Sequence, residues 1–243
     1  LGLDIDLREK QSERFDRYDE LFETLKSRGL VYPCYETPEE LDLKRKRQLS
    51  RGLPPVYDRA ALDLDESQKL AFEADGRQAH WRFKLSGNVV VWEDLIRGTQ
   101  RIETASLSDP VLVRGDGSYL YTLPSVIDDH DFSITHVVRG EDHVTNTATQ
   151  VEIFEAIGAS IPEFAHFSLL QSADGGGLSK RLGVLSIGDL RDMGLEAMSI
   201  NSLIARLGTA DPIEPFSELS ELFQGFDFSR LGRAPARLDV EEL

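Results

Sequence analysis

Cysteine is almost absent from this chain. The single Cys34 excludes an internal disulfide and any zinc site built on several cysteines, and a reducing cytoplasm is the simplest setting for it. No apolar run approaches the ~20 residues of a membrane-spanning helix, and no signal peptide opens the chain, so no membrane partner is expected. A starting methionine is missing too: Leu1-Gly2-Leu3-Asp4-Ile5-Asp6 reads as the middle of a longer sequence, and further sequence upstream is expected, with proteolytic processing as the alternative source of such a start. Positive charge is scarce, with 27 Lys and Arg against 43 Asp and Glu and a net charge of −16. That balance excludes non-specific attraction to nucleic acid or anionic lipid, but it leaves room for a local basic patch that reads a shaped RNA. Internal repeats, low-complexity tracts, a Ser-His-Asp arrangement, a His-Glu-x-x-His pattern and a GxxxxGK[ST] loop are all missing.

What is present is a globular composition over 243 residues, enough for one large domain or two modest ones. Residues 8–28 carry Phe15, Tyr18, Leu21, Phe22 and Leu25 on one helical face, and Gly29 stops the pattern. A short strand is expected over 30–35. Thr37-Pro38-Glu39-Glu40 then has the form of a helix start, with a threonine cap, proline at the first position and glutamate at the third. That helix carries Lys44, Arg45, Lys46, Arg47 and Arg51 and cannot pass Pro54-Pro55. Its basic run suits either RNA or a solvated helix face. A short helix is expected over 64–75. From His80 the period changes to alternation, with strands expected over 80–85, 88–92 and 109–114. From Leu120 an α/β pattern follows: strand 134–138, helix 146–157 ended by Gly158, strand 165–171, then helices 187–193 and 196–207, the first capped by Ser186.

Two stretches carry chemistry. Arg139-Gly140-Glu141-Asp142-His143 sits between a strand and a helix, where ligands bind in open α/β sheets. Arg139 offers a planar fork that suits a substrate carboxylate, or it pairs structurally with Asp142 or Asp129. His143 suits a base or a phosphate, or a structural role. About thirty residues on, Asp174 to Arg181 reads DGGGLSKR. Its glycines allow close backbone approach, and Ser179, Lys180 and Arg181 suit a polyphosphate, or the loop is simply basic surface. Asp128-Asp129-His130 has metal-binding residue types, but neighbours on a strand face opposite ways, so a structural role is expected.

The segments QSERFDRYDELFETLKSRGLVYPCYETPEEL, RGLPPVYDRAAL, SDPVLVRGDGSYLYTLPSVIDDHDFSITHVVRGEDHVTNTATQ and GLSKR together resemble the glutamyl-tRNA synthetase family, a class I aminoacyl-tRNA synthetase family, in its bacterial zinc-less form. The resemblance implies an α/β fold: the second half of a Rossmann-like catalytic domain with an inserted α+β connective domain and the start of a helical stem-contact region. It divides the chain into 1–30, the end of the first catalytic half; 31–118, the connective insertion that packs on the tRNA acceptor end; 119–182, the second catalytic half; and 183–243, the start of the stem-contact region.

The resemblance also implies ATP with Mg²⁺, glutamate and tRNA as ligands, a monomer and a cytoplasmic location. Tyr121, Ser125 and Arg139 match glutamate-holding positions, with Ser125 where many members carry asparagine. Gly177, Leu178, Ser179, Lys180 and Arg181 match the ATP-facing signature loop, its first lysine replaced by Gly177, and His143 is expected on the ATP side. Lys180 is the expected catalytic residue. Cys34-Tyr35-Glu36 stands where zinc-binding members have Cys-x-Cys, so no zinc is expected. The His-x-Gly-His signature and an anticodon-binding domain are not in the sequence. The expected activity is therefore glutamate–tRNA ligation by a chain incomplete for catalysis. The alternatives are a non-catalytic module that binds tRNA or protein, and glutamyl transfer to a modified tRNA base.

Overall fold

The computed structural model describes residues 1–172 and 186–238. Helix α1 spans Phe15–Ser27, later than the pattern predicts. Ahead of it lie extended chain and a short 3-10 turn at Gln11–Glu13. Just before α1, the Arg14 guanidinium reaches across to Asp128 and Asp131. Tyr18, Phe22 and Leu25 are buried as expected, while Phe15 stays half exposed, stacked on Tyr119.

Strand β1 (Val31–Cys34) leads to α2 (Pro38–Ser50). The expected capping box is complete: Thr37 Oγ1 accepts from the Glu40 amide at 3.3 Å, and Glu40 Oε2 accepts from the Thr37 amide at 2.9 Å. Helix α3 (Glu66–Ala74) follows, capped by Asp65. Strands β2 (His80–Phe83) and β5 (Val111–Val113) join β1 in an antiparallel sheet of order β1-β2-β5.

The hairpin β3 (Val89–Asp94) and β4 (Gly98–Glu103) does not stay with that sheet. It belongs to a second sheet, ordered β4-β3-β7-β6, with β6 at His136–Gly140 and β7 at Glu163–Phe167. β3 meets β7 in parallel at Asp94↔Phe164. β6 and β7 run parallel, joined through α5 (Val144–Ile157) as the alternating pattern predicts. Gly158 ends α5 in the left-handed region at φ 73°, where glycine carries no side-chain penalty. The strand expected over 165–171 divides: beyond β7, β8 (Leu170–Ser172) turns away to pair with β9 (Ala236–Leu238).

Residues 122–131 correct the sequence reading. Asp128, Asp129 and His130 lie not on a strand but in the last turns of helix α4 (Thr122–Asp131). Leu123, Val126 and Ile127 sit at helical spacing and are fully buried, so packing decides the element. The structural role expected for these acids holds at Asp128, which accepts from Gln11, Arg14 and Tyr18. Tyr18, Phe154 and Phe164 anchor one core between α1, α4, α5 and the sheets, each buried ring contributing on the order of 2 kcal/mol of apolar transfer. Helices at Ile187–Asp192, Ala197–Arg206 and Leu219–Phe223 complete the described chain, the first with its Ser186 and Asp189 capping box. No described helix is long and apolar enough to cross a membrane.

Candidate active site

The end of β6 places Arg139 against residues of β7, α5 and the N-terminal end of α4. Parallel register sets Arg139 beside His166 on β7. Its Nε donates to His166 Nε2 at 3.1 Å. Nη2 donates to Thr147 Oγ1 at 2.7 Å and to Gln150 Oε1 at 2.6 Å, both one turn apart on α5. Nη1 donates to the Tyr121 hydroxyl at 3.2 Å. The network runs on from Gln150, whose Nε2 donates to Ser125 Oγ at 2.8 Å, and Ser125 donates to the Thr122 carbonyl. His143 lies against Tyr121, ring centroids 5.6 Å apart.

These partners of Arg139 are neutral, and among the described residues no carboxylate oxygen lies within 4 Å of its guanidinium. The structural ion pair that the sequence left open is not formed. Asp142 faces His143 instead, and burial pushes the Asp129 carboxyl up to about 6, against the pull of Arg139. A half-buried guanidinium with no carboxylate in direct contact is chemically suited to an anion.

Behind Arg139 sits a buried pair. His166 Nδ1 lies 2.5 Å from Asp94 Oδ2, and both side chains are fully buried. Asp94 Oδ1 accepts from the amides of Ile96, Arg97 and His166. Burial alone would raise the Asp94 pKa, but these bonds hold it below the usual carboxylate range. Burial pushes the His166 pKa down and outweighs the opposing pull of Asp94.

A metal could be held, among the described residues, by Cys34, Glu36 and His80, whose ligand atoms lie within 4.8 Å of one another. Glu36 Oε2 and His80 Nε2 are buried without partners there. The set fits a structural zinc poorly. It falls one short of the usual four ligands, and Lys44 already stands against Glu36 Oε1 at 3.1 Å.

The whole chain, residues 1–243, matches the family described as tRNA synthetases class I (E and Q), catalytic domain. The chain belongs to that family. It is 60% identical over 244 residues to glutamate–tRNA ligase 1 of Maricaulis maris, covering all of this chain and 55% of that protein. It is 58% identical over 243 residues to glutamate–tRNA ligase 2 of Methylorubrum populi, covering 54% of that protein. Among solved structures it is similar to a glutamate tRNA ligase from Elizabethkingia meningosepticum, crystallised in complex with its amino acid. That match has a TM-score of 0.83 and 30% identity, over 99% of this chain and 53% of the other. The chain thus spans about half the length of the relatives it matches.

Within this class I synthetase fold, three expected residues, Tyr121, Ser125 and Arg139, share one hydrogen-bonded network, and His143 borders it. Gly177, Leu178, Ser179, Lys180 and Arg181 lie outside the described residues. The sequence reading missed Thr147, Gln150, His166 and Asp94. The first two carried a signal: they are polar positions one turn apart on the side of α5 facing the preceding strand. His166 was visible only as a lone histidine in an apolar strand, and Asp94 only as the acid before a turn.

Proposed function

We propose that this chain is the part of a glutamate–tRNA ligase that holds the amino-acid substrate, acting in a protein that activates glutamate with ATP and transfers it to the 3′ end of tRNA. One observation carries the reading: Arg139 stands at the carboxyl end of a parallel strand, oriented by neutral acceptors and with no carboxylate in direct contact among the described residues. Glutamate has two carboxylates, one to be activated and one that distinguishes it from most amino acids, and Arg139 takes one of them. Tyr121 is half exposed beside Arg139 and its hydroxyl adds a further contact to the substrate. Ser125 reaches the substrate side through Gln150.

The proposed chemistry has two steps. A glutamate carboxylate oxygen attacks the α-phosphorus of ATP, pyrophosphate leaves, and a terminal ribose hydroxyl of tRNA then displaces AMP from the adenylate. Such reactions depend on positioning and charge neutralisation more than on covalent help. Lys180, with Gly177, Leu178, Ser179 and Arg181, is assigned to the phosphates, and His143 to the ATP side of Tyr121. Mg²⁺ would enter with ATP, held largely by phosphates and water. No zinc is required by this scheme.

The tRNA partner is supported by a cavity of about 400 Å³ lined by Lys44, Arg45, Arg47, Tyr57 and Arg82. Lys44 and Lys46 are paired with acids, whereas Arg45 and Arg47 have no acidic partner within 4 Å among the described residues. Both guanidinia are thus available to phosphates within the 31–118 connective segment. A monomer in the cytoplasm fits the substrates.

Lys180→Ala in the complete gene product tests the assignment. Glutamate-dependent exchange of pyrophosphate into ATP should fall by on the order of 10²-fold or more. Exchange near the wild-type rate in that variant sinks it.

A further inference from the structure

We infer that Asp94 and His166 act as a positioning pair for Arg139: Asp94 fixes His166 as the neutral Nδ1–H tautomer, and the bare Nε2 then holds the Arg139 guanidinium in its binding orientation without neutralising it. The inference rests on the reading of Arg139 as a substrate contact.

The tautomer follows from donors and acceptors. The Nε–H of Arg139 points at His166 Nε2 across 3.1 Å, and an arginine has no acceptor to offer. Nε2 must therefore be unprotonated. The ring proton lies on Nδ1, where Asp94 Oδ2 accepts it at 2.5 Å. Asp94 is itself immobilised, because its other oxygen takes the amides of Ile96, Arg97 and His166. One carboxylate thus ties together the end of β3, the turn after it and β7.

Interposing a histidine has a physical consequence. Had Asp94 met Arg139 directly, the two charges would cancel and the pocket would lose its attraction for an anion. Through the ring, Asp94 makes Nε2 a better acceptor and fixes its direction, as carboxylates do for metal-bound histidines. The substrate still meets a full positive charge. The groups facing His166 are Asp94 from β3, Arg139 from β6 and Thr147 from α5, with the His143 ring adding a positive field when it is protonated. Burial and Arg139 both oppose protonation of the ring. If it did protonate, N–H would face N–H and Arg139 would be pushed from its place.

Two substitutions at one position separate positioning from bulk. The amide of asparagine overlays Nδ1, so His166→Asn keeps a donor for Asp94 and leaves nothing for Arg139. The amide of glutamine overlays Nε2, so His166→Gln keeps an acceptor for Arg139. In the complete gene product, measured by glutamate-dependent pyrophosphate exchange, His166→Asn should raise the KM for glutamate about 10-fold or more over His166→Gln, with the KM for ATP within about twofold in both. Asp94→Asn should act like His166→Asn. Its Oδ1 keeps the three amides, its NH₂ faces Nδ1, and the ring is forced into the wrong tautomer.

The ring itself is read by ¹⁵N NMR on the histidine-labelled protein. A pyrrole-type Nδ1 and a pyridine-type Nε2 for His166 at neutral pH are expected, with the two exchanged in Asp94→Asn. A protonated Nε2 in the wild type overturns the inference, and so do equal glutamate KM values for the asparagine and glutamine variants when Arg139→Ala raises that KM. If Arg139→Ala leaves the glutamate KM unchanged, the substrate reading fails instead, and the ¹⁵N tautomer alone decides whether the pair orients Arg139.

Discussion

Two sets of arginines in this molecule are ordered equally well and for opposite ends. At the contact of α1 with α4, Arg14 meets Asp128 at 2.8 Å and Asp131 at 2.7 Å, and Arg17 meets Asp131 at 2.9 Å. The Tyr18 hydroxyl donates to the same Asp128, and Arg14 lies 4.4 Å over the Phe132 ring. Every charge there is answered from within the chain. At the end of β6, Arg139 is held by several hydrogen bonds too, yet none of its partners carries a negative charge. Order alone does not single out a candidate binding site; order without a carboxylate in direct contact is what sets Arg139 apart.

Replacing one arginine from each set breaks the comparison most directly. Arg139→Ala in the complete gene product should cut glutamate-dependent exchange by on the order of 10²-fold, chiefly through the KM for glutamate, with little change in the urea midpoint. Arg14→Ala should do the reverse. It removes the cation shared by two partly buried carboxylates, leaving Asp131 to Arg17 and Asp128 to Tyr18 and Gln11, costs about 1 kcal/mol of stability by urea unfolding, and leaves the glutamate KM within about twofold. If Arg14→Ala changes substrate affinity as much as Arg139→Ala does, charge balance does not separate the two regions.

How far each region can be read from sequence follows the same division. Local devices were legible: the capping boxes at Thr37 and Ser186 and the Gly158 stop depend on neighbours in the chain. Helix α4 was not, because Asp128-Asp129-His130 reads as strand until Leu123, Val126 and Ile127 are seen packed in the core. Arg139 stands out by its place at a strand end, with a structural ion pair left open, whereas Tyr121 is reached only through resemblance. Asp94 and His166 are 72 residues apart, and only the pairing of β3, β7 and β6 brings them behind Arg139. No periodicity within a single segment carries that information. The register that joins the three strands is non-local, and so is the site it builds.

A smaller effect is expected at Asp129, which stands beside these two sets and belongs to neither. Burial raises its pKa to about 6, so the folded chain holds a proton that the unfolded chain releases near the ordinary aspartate value. For an acid with a raised folded pKa, its share of stability is intact at low pH and is lost as pH climbs toward about 6. Asp129→Asn should therefore stabilise the protein at pH 7.5 by on the order of 1 kcal/mol, a figure reduced for solvent screening, and do nearly nothing at pH 3, below the unfolded pKa. Denaturant unfolding at both pH values checks this. An equal shift at the two would mean that the carboxyl is not strained in the fold.

The smallest change tests how far the unbalanced charge reaches. Ser125 matches a glutamate-holding position by resemblance, yet its hydroxyl is committed: it donates to the Thr122 carbonyl at 3.1 Å and accepts from Gln150 Nε2 at 2.8 Å. Gln150 in turn offers Oε1 to Arg139 at 2.6 Å. Ser125 is thus two hydrogen bonds from the cation and acts by keeping the Gln150 amide the right way round. Losing one neutral hydrogen bond of this kind costs about 1 kcal/mol at its own site, and only part of that is passed to Arg139. Ser125→Ala should therefore raise the glutamate KM by about threefold, against the far larger rise for Arg139→Ala. A rise of tenfold or more would mean that the hydroxyl turns to the substrate when glutamate enters. In that case the network around Arg139 rearranges on binding and is not ready-made.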